Sequence, residues 1–588
     1  MPDPTLKFFT QEPDESRLLD KLWKIQKDCG FISDESINVL AKATHQSRVE
    51  IEGVISFYHF FHRRPTAQNI IYLNNSIISE IKGFSRVKES FERETDTRFG
   101  TIDRTGTFAL FETPCIGLSD QEPAALINFY PFTNLNVMKV REIIEQLKEG
   151  ARPEDICDSP EDNIRYLPPD NHTIFFRPYK IGEALTKLET RTPEDVINFV
   201  KDSELSGRGG AFFPTWIKWE SCKNQPNSPK YVICNADEGE PGTFKDRVLL
   251  NREPGSVIEG MIIAGFGIGA RYGIIYLRAE YSWLKDNIEN TILDFYNEGL
   301  LGKNIKGIKG FDFDIRIQMG AGSYVCGEET ALLESLEGKR GEPRTKWYFP
   351  VERGYLQKPT IVNNVETFAA VARMIEIGIN EYLNRGIPGS PGTKLISLSG
   401  DVSKPGIYEI EWGMTVAELL ELSEASTPYF IQVSGPSGEC ISINEKHRKI
   451  SMRDLLSTQD IRCGGSFMVF NKKRDIVSIL LNYSDFFMKE SCGICTPCRA
   501  GNYIVHKKLE KIQNGLANKS DIDDLRQWCQ IMKITSRCGL GKTAGNTPIF
   551  AIDKFREYFE PKLDTEYDGL NMKFNLEEAV KDYEKYKS

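Results

Sequence analysis

The hydrophobic pattern at the start of the chain predicts helices followed by strands. After the polar start signal Asp14-Glu15-Ser16, apolar side chains recur at helical spacing at Leu18, Leu19, Leu22, Trp23 and Ile25. Residues 1–65 are therefore expected to be helical. The apolar runs 69–73 and 107–111 are short and rich in branched and aromatic residues, which predicts two β-strands.

Changes in composition indicate further boundaries along the chain. A linker is predicted over 151–184, where acidic residues are interspersed with Pro153, Pro160, Pro168 and Pro169. A glycine-rich region with mixed strand and helix signals covers 185–385 and ends at the glycine–proline break of 386–392. A β-rich region is expected over 393–470, and amphipathic helices over 475–588. The fold class is therefore α/β with several domains.

Length, charge and cysteine usage narrow the class of protein. The chain has 588 residues, of which 40% are hydrophobic, enough for several cores. A net charge of −10 argues against nucleic-acid binding. The longest apolar stretch, 260–270, is about half a bilayer span, so no transmembrane segment is expected. With no signal sequence at the start, thirteen cysteines suggest metal ligands and buried thiols in a cytoplasmic protein.

Four cysteines near the C-terminal end have the spacing of an iron–sulfur site. A C-x2-C-x2-C motif contains Cys492, Cys495 and Cys498, and Cys538 follows further along the chain. A cubane [4Fe–4S] cluster takes one cysteine sulfur for each iron. Structural zinc is the alternative, but it usually takes two C-x2-C knuckles or histidines, and no histidine lies among these four. The motif predicts a [4Fe–4S] cluster and single-electron transfer.

Three further segments have the composition of a nucleotide site. The turn 206–211 contains three glycines whose amides could approach a phosphate, although such turns are also common without a ligand. The acids of 235–242 follow the apolar run 231–233, so we expect them at the C-terminal end of a strand, where ligands collect. The segment 320–331 again places glycines and two acids before a helical run. Clustered acids can accept hydrogen bonds from ribose hydroxyls, and the alternative is a solvated turn.

Together these segments resemble the family of the flavin-containing, NADH-binding subunit of respiratory complex I and its relatives. The matching motifs, in chain order, are Gly207–Ala211, Asn235–Gly242, Tyr324–Thr330, Lys358–Thr367 and the four cysteines. The resemblance implies a Rossmann-like domain that binds FMN and NAD(H). It also implies a small β-rich, ubiquitin-like (SLBB-like) domain and a C-terminal helical bundle that holds the cluster.

The resemblance also implies roles for individual residues. The expected FMN site comprises Gly207, Gly209, Lys218, Asn235, Asp237, Tyr324, Glu328, Asn363 and Asn364. The expected NAD(H) site comprises Phe213, Glu240, Glu329, Lys346 and Phe349, with the phenylalanines stacking on adenine. Of these, Glu240 and Glu329 would orient the dinucleotide for catalysis. Further cofactor contacts are expected from Arg208, Glu238 and Gly327, and the expected cluster ligands are Cys492, Cys495, Cys498 and Cys538.

The first 150 residues resemble the thioredoxin-like [2Fe–2S] subunit of the same family, fused in front through the linker. A helical annex over 1–65 precedes the thioredoxin-like module of 66–150. At the four positions where that subunit has cysteine ligands, this chain has Asn74, Ser79, Cys115 and Ser119. Because one thiolate cannot hold a two-iron cluster, we expect no [2Fe–2S] cluster in this module.

A fused module of this kind resembles the family of diaphorase subunits of NAD-reducing [NiFe] hydrogenases. The resemblance implies partners, namely an iron–sulfur electron-transfer subunit and the [NiFe] hydrogenase subunits. No nickel is expected in this chain, because its remaining cysteines form no paired C-x2-C motifs. FMN would take hydride from NAD(H) and release electrons singly to the cluster. The alternatives are the electron-input subunit of a complex I, a formate dehydrogenase or a bifurcating enzyme, and, in another class, a non-catalytic scaffold.

Two positions depart from the family pattern. Where the family commonly has glycine, this chain has Phe212 and Trp216. Bulky rings do not allow the close backbone approach that glycine permits. Either the pocket entrance is remodelled, or the turn tolerates the rings because they face outward.

Overall fold

The computed structural model describes residues 17–169, 172–452 and 461–563. The predicted start signal at 14–16 lies outside these residues. The described chain begins with helices α1 Leu18–Cys29, α2 Asp34–Thr44 and α3 Arg48–Phe57. Helix α1 buries Leu18, Leu19 and Leu22, as the apolar spacing predicts.

A five-stranded sheet with three helices follows. Its strands are β1 Asn69–Asn74, β2 Thr101–Ile102, β3 Phe108–Thr113, β4 Ala125–Ile127 and β5 Tyr130–Phe132. Its helices are α4 Ile77–Lys82, α5 Phe84–Thr95 and α6 Val137–Lys148. The strand order is β2-β3-β1-β4-β5, with β1 parallel to β3 and antiparallel to β4. Apolar side chains of α5 and α6 cover this sheet, and the runs predicted as strands form β1 and β3.

The predicted linker contains regular structure of its own. It holds α7 Pro153–Ile156, strand β6 Ile164–Tyr166 and the first part of α8 Glu183–Thr186. Strand β6 adds to the edge of the sheet in the β-rich region, where Ile164 pairs with Ile407. A three-residue strand gives no periodic signal, so its partner could not be read from the local sequence.

The central region is a four-stranded parallel sheet enclosed by helices. Its strands are β7 Tyr231–Ala236, β8 Tyr272–Leu277, β9 Asp314–Met319 and β10 Thr360–Asn364, in the order β10-β7-β8-β9. Its helices are α9 Pro193–Asp202, α10 Thr215–Lys223, α11 Lys245–Arg252, α12 Pro254–Ile268, α13 Lys285–Asn297, α14 Glu329–Leu336, α15 Pro350–Arg353, α16 Val365–Ile377 and α17 Ile379–Leu383. Parallel strands put all their C-terminal ends at one edge, which is where a ligand site can form.

The two faces of this sheet are covered by different parts of the chain. Helices α12 and α16 cover one face, and the apolar stretch of 260–270 lies buried there. A β-carbon at Gly260 would overlap the Phe368 carbonyl, so glycine allows these two helices to approach closely. The other face packs against α1, α2, α3 and α14, through residues such as Leu22, Ile51 and Leu332. In the described ranges, no helix is long and apolar enough to cross a membrane.

The β-rich region contains most of a six-stranded sheet. The strands of the region are β11 Gly386–Ile387, β12 Ser390–Pro391, β13 Thr393–Gly400, β14 Gly406–Glu411, β15 Pro428–Val433, β16 Glu439–Ser442, β17 Ile450–Ser451, β18 Ile461–Arg462 and β19 Ser466–Asn471. The sheet has the order β16-β15-β19-β13-β14-β6, and α18 Val416–Leu422 packs on it.

The described chain ends in helices. They are α19 Ile476–Glu490, α20 Thr496–Gln513, α21 Lys519–Thr535, α22 Gly539–Thr543, α23 Asn546–Lys554 and α24 Arg556–Phe559. They share one apolar core, which includes Leu480, Leu509 and Leu525. The C-x2-C-x2-C motif begins between α19 and α20 and runs into α20, and Cys538 lies between α21 and α22. The chain is thus a mixed α/β protein built of several regions.

Candidate functional site

The glycine turn lies between α9 and α10, beside the C-terminal end of β10. The Gly207 N–H donates to the Phe213 carbonyl at 2.9 Å and closes the turn. A β-carbon at Gly209 would lie only 3.2 Å from Cβ of Asn364. Gly210 has φ +103°, a backbone conformation that favours glycine. The turn therefore presents bare backbone next to Asn364, as a cradle for a phosphate or a flavin requires.

The bulky residues of this turn pack into neighbouring cores. Phe212 has φ +52° and its ring lies 6.1 Å from the ring of Trp412, in the β-rich region. The ring of Trp216 packs against the main core and lies under the Lys201 ammonium, 4.7 Å from it. The Phe212 ring is thus buried in the core of the β-rich region. This arrangement is neither a remodelled pocket entrance nor an outward-facing ring, the two alternatives considered from the sequence.

Arg208 is buried behind the same turn. Its backbone N–H donates to Thr367 Oγ1 at 2.9 Å, and its Nη2 donates to the Tyr382 hydroxyl at 2.9 Å. Its guanidinium also lies 5.2 Å from the ring of Trp412. Nε and Nη1 of Arg208 are buried without a hydrogen-bond partner in the described structure. Unsatisfied buried donors are costly, and an anionic acceptor would satisfy them.

The C-terminal end of β7 and the residue that follows it are held near the 320–331 segment. Nδ2 of Asn235 donates to the Gly327 carbonyl at 2.8 Å, and its Oδ1 accepts from the Asp237 N–H at 3.1 Å. Burial raises the pKa of the Asp237 carboxyl well above its usual range, and the charge of Arg278 acts in the opposite direction. The sequence segments predicted to share a site are therefore in contact here.

Glu238 is occupied by the protein itself. Its carboxylate accepts from the backbone N–H groups of Asp246 and Arg247, at 2.8 and 3.1 Å, at the start of α11. It also accepts from the Tyr281 hydroxyl at 2.9 Å. Burial raises the pKa of Glu238 to about 7. This carboxylate therefore fixes the acidic loop (residues 237–240) onto the first turn of α11.

Glu240 joins the acidic loop to the β-rich region. Its Oε1 accepts from the Ser437 N–H at 2.9 Å, and its Oε2 accepts from the Tyr324 hydroxyl. A β-carbon at Gly435 would overlap the Glu240 side chain, so glycine is needed there. Burial raises the pKa of Glu240 above its usual value, while the contacts with Ser437 and Tyr324 lower it. Of these partners, Ser437 and Gly435 were not foreseen from the sequence.

Lys218 and Glu329 form an ion pair across the cradle. Nζ of Lys218 donates to Oε2 of Glu329 at 2.7 Å, and both side chains are about a quarter exposed. Glu328 instead caps α14, since its carboxylate accepts from the N–H groups of Thr330 and Ala331, both at 2.9 Å. The two acids therefore make different contacts: Oε2 of Glu328 caps α14, whereas Glu329 pairs with Lys218.

The two phenylalanines predicted to bind NAD(H) are exposed. Phe213 is 46% exposed and Phe349 is 58% exposed, and Lys346 is also exposed. Trp347, between them, is 83% exposed and had not been singled out from the sequence. Large apolar side chains left in water are available to stack on a planar ligand.

A buried charge cluster supports Asn364. Its Nδ2 donates to Asp246 at 2.6 Å, and its Oδ1 accepts from Nζ of Lys245 at 3.2 Å. Lys245 and Lys394 both pair with Glu366, and all three side chains are buried. Asn363 accepts from Nε1 of Trp219 at 3.1 Å. This charge cluster was not predicted from the sequence, because three segments that are distant along the chain supply it. Locally, the sequence shows only the charged run 245–247 after the acidic loop.

The four cysteines of the C-terminal region meet at one place. Burial raises the pKa of the Cys498 thiol to about 12, and the neighbouring charges of Cys492, Cys495 and Cys538 also raise it. Cys498 Sγ accepts from Nδ2 of Asn502 at 3.4 Å. A bound cation such as iron would favour the thiolate form of this sulfur.

A single-ion site and an iron–sulfur cluster need different arrangements of cysteines. Among the residues that the structure describes, no group of three His, Cys, Asp or Glu side chains could hold a metal ion. In a cubane cluster each cysteine binds a different iron, so the four sulfurs surround a larger body.

Three family models match the chain. The thioredoxin-like [2Fe–2S] ferredoxin matches residues 7–148. The Nuo51 FMN-binding domain matches residues 200–373, which contain the cradle and the acidic loop. The iron–sulfur binding region of NADH-ubiquinone oxidoreductase F matches residues 478–562, which contain the four cysteines.

The comparison that decides the family spans the whole chain. The alpha subunit of the NAD-reducing hydrogenase HoxS of Cupriavidus necator is 48% identical over 97% of this chain and 96% of its own length. The chain belongs to this family. Its members are the diaphorase subunits of NAD-reducing hydrogenases, and the chain is accordingly an oxidoreductase with FMN-binding and iron–sulfur regions.

A further relative and a solved structure are also similar to the chain. A subunit of the NADH-quinone oxidoreductase of Aquifex aeolicus is 42% identical over 64% of this chain and 88% of its own length. The crystal structure of an NAD⁺-reducing [NiFe]-hydrogenase in the H2-reduced state contains a chain with a TM-score of 0.88 and 34% identity. That likeness covers 97% of this chain and 98% of the other. The diaphorase family thus accounts for the N-terminal region as well.

Family membership corrects one expectation about the N-terminal region. We expected no [2Fe–2S] cluster there, because non-cysteine residues stand at three of four ligand positions. The match to the thioredoxin-like [2Fe–2S] ferredoxin overturns this expectation and points to a [2Fe–2S] cluster in the region. The four residues concerned, Asn74, Ser79, Cys115 and Ser119, are all buried, and Cys115 Sγ lies 3.5 Å from Ser119 Oγ.

Proposed function

We propose that this chain moves hydride between NAD(H) and FMN and exchanges single electrons with a [4Fe–4S] cluster and partner hydrogenase subunits in the cytoplasm. In finer detail, the proposed regions are a helical annex (1–65), a thioredoxin-like module (66–150), a linker (151–184), a Rossmann-like FMN and NAD domain (185–385), an SLBB-like, ubiquitin-like domain (393–470) and a helical bundle that holds the cluster (475–588). The observation that carries the proposal is made at one sheet edge: the acidic loop contacts the 320–331 segment, and the glycine turn lies against Asn364 at the end of the neighbouring strand β10.

The residues at this edge fit FMN. The turn at Gly207 and Gly209 offers bare backbone, and two donors of buried Arg208 lack an acceptor of the kind that a flavin phosphate provides. When bound, FMN accepts a hydride and returns electrons one at a time. The remaining flavin contacts are assigned to Lys218, Asn235, Asp237, Tyr324, Gly327, Glu328, Asn363 and Asn364. Glu238 contributes indirectly, because its carboxylate fixes the acidic loop to α11 and to Tyr281.

Three of the residues assigned to NAD(H) are exposed. Phe213 and Phe349 are exposed enough to stack on adenine, and Lys346 is free to approach a phosphate. Glu240 and Glu329 orient the dinucleotide; Tyr324 and the Ser437 N–H hold Glu240, and Lys218 holds Glu329. Hydride transfer itself needs positioning and no general base, so these acids act by binding.

The cysteine site fits a [4Fe–4S] cluster held by Cys492, Cys495, Cys498 and Cys538. A β-carbon at Gly541 would lie 2.9 Å from Cβ of Cys498, so the glycine lets the two cysteine loops come together. The full-length match to hydrogenase diaphorase subunits favours hydrogenase partners over those of complex I, formate dehydrogenase or a bifurcating enzyme.

The test is an anaerobic NADH titration of the purified chain and of Cys495→Ser. We expect the parent to show flavin bleaching followed by a [4Fe–4S] electron paramagnetic resonance signal. Cys495→Ser should keep the bleaching and lose that signal, because serine is a poor ligand for this cluster. Cys529→Ser, a buried cysteine of the same helical region, is the control and should keep both. If NADH does not bleach the flavin of the purified chain, the chain is not a diaphorase.

A further inference from the structure

One loop of the N-terminal region packs against residues that support the nucleotide site. The loop 114–120 follows β3 and packs against Tyr281, which lies after β8. Gly117 in this loop has φ +74°, and a β-carbon there would overlap the Tyr281 hydroxyl and ring. The contact is therefore so close that only glycine fits.

Arg278 connects this loop to the acidic loop. Its side chain is buried, and its Nη2 donates to the Cys115 carbonyl at 2.8 Å. Its Nη1 donates to the Glu238 carbonyl, and Glu280 pairs with the same guanidinium at 2.7 Å. One fixed cation thus holds the backbone of both loops.

A second connection runs through side chains. The Tyr281 hydroxyl that touches Gly117 is the one that donates to the Glu238 carboxylate. Asp120, at the end of the loop, pairs with Arg247 at 3.1 Å, and the Arg247 N–H donates to Glu238. All these side chains are buried, so the two loops have little freedom to move relative to each other.

We propose that the 114–120 loop positions the acidic loop for nucleotide binding, with Arg278 and Tyr281 as positioning residues. The N-terminal region then takes part in the nucleotide site. The inference rests on the proposed function, since it assumes that the acidic loop holds FMN and NAD(H). The Arg278 cation also faces Asp237, whose pKa burial raises, so moving Arg278 changes the charge next to the flavin residues.

The test compares two glycines of the N-terminal region. Gly117→Ala pushes Tyr281 off Glu238, whereas Gly106→Ala has nearly the same backbone strain, at φ +72°, with nothing within 4 Å. We expect Gly117→Ala to weaken NADH binding roughly tenfold or more and to shift the flavin midpoint potential, because small misplacements of binding groups are expensive. Gly106→Ala should lose only the thermal stability that the backbone strain costs, with neither change. FMN affinity of the apoprotein is measured alongside.

A second variant covers the case in which Gly117→Ala does not fold. Tyr281→Phe keeps the ring against Gly117 and removes only the hydroxyl that donates to Glu238. It should raise KM for NADH several-fold with a smaller change in kcat. If Tyr281→Phe matches the parent in KM, flavin potential and FMN affinity, the loop is ordinary packing and the proposal is wrong. A parent chain that NADH does not reduce would instead refute the proposed function, so the two failures are distinct.

Discussion

Glu240 lies where three segments of the chain meet. Tyr324 donates to one of its oxygens and the Ser437 N–H to the other, so its carboxylate has a fixed direction before any ligand arrives. A fixed acid can accept hydrogen bonds from ribose hydroxyls and repels the extra phosphate of NADP(H). Preorganisation of this kind lowers the entropy cost of binding.

Glu240→Gln should therefore weaken binding more than chemistry. We expect KM for NADH to rise about tenfold, equivalent to about 1.4 kcal/mol, with a smaller fall in kcat. Discrimination against NADPH should relax as well. The assay is steady-state oxidation of both dinucleotides with an artificial acceptor. Glu298→Gln, an exposed acid after α13, is the control. Equal constants for Glu240→Gln and the parent would remove Glu240 from the site.

At the scale of elements, several parts of the fold rest on buried acids. Glu259 lies in α12 and accepts from the Tyr179 hydroxyl at 2.7 Å and from the Leu185 N–H at 2.9 Å. It thereby fixes the segment before α9 to the central helix. Burial raises the pKa of Glu259 to about 7, against a reference value of 4.5.

The raised pKa makes the contribution of Glu259 depend on pH. The folded state binds the proton more tightly, so stability is fully present below about pH 4.5 and falls as pH rises through about 7. Glu259→Gln mimics the neutral acid and should escape this loss. We expect the variant to gain melting temperature relative to the parent between pH 5 and roughly pH 8, by scanning calorimetry. A gap between the two that stays constant with pH would contradict the assignment.

A second element-scale prediction concerns the cluster of Glu366, Lys245 and Lys394. Burial alone would raise the pKa of Glu366, but the two lysines hold it below its usual value. Glu366→Gln leaves two buried ammonium groups without this carboxylate and should cost about 3–5 kcal/mol. Lys394→Met leaves Glu366 paired with Lys245 and should cost less. Urea unfolding of the two variants measures the difference, and equal losses would mean that Lys394 carries the cluster.

Sequence reasoning succeeded where the signal was local. The helix α1 followed from apolar spacing, and the cysteine motif followed from four residues of one type. It could not place β6, whose partner Ile407 is remote in sequence, or the bond from Tyr281 to Glu238. Such contacts depend on tertiary packing, which leaves no periodic trace in either segment.

The whole molecule is less modular than its sequence suggests. The buried side chains of α1, α2 and α3 share a core with the central sheet and not with the five-stranded sheet that follows them. They cover one face of the central sheet, where Ile51 is fully buried in the same core as Ile233 and Leu332. The Tyr58 hydroxyl also donates to the Lys339 carbonyl, at 2.7 Å. Helices α1, α2 and α3 are thus part of the nucleotide-binding region's own core.

Two substitutions in α3 test this arrangement at the level of the molecule. Ile51→Ala should cost about 2–5 kcal/mol, because it opens a cavity between the helices and the central sheet. Val49→Ala, two residues away and 76% exposed, should change stability by less than about 0.5 kcal/mol. If the helices and the sheet form one core, the Ile51→Ala loss should appear in the same unfolding transition that releases flavin. A separate early transition, with flavin still bound, would show that the helices fold as an independent unit.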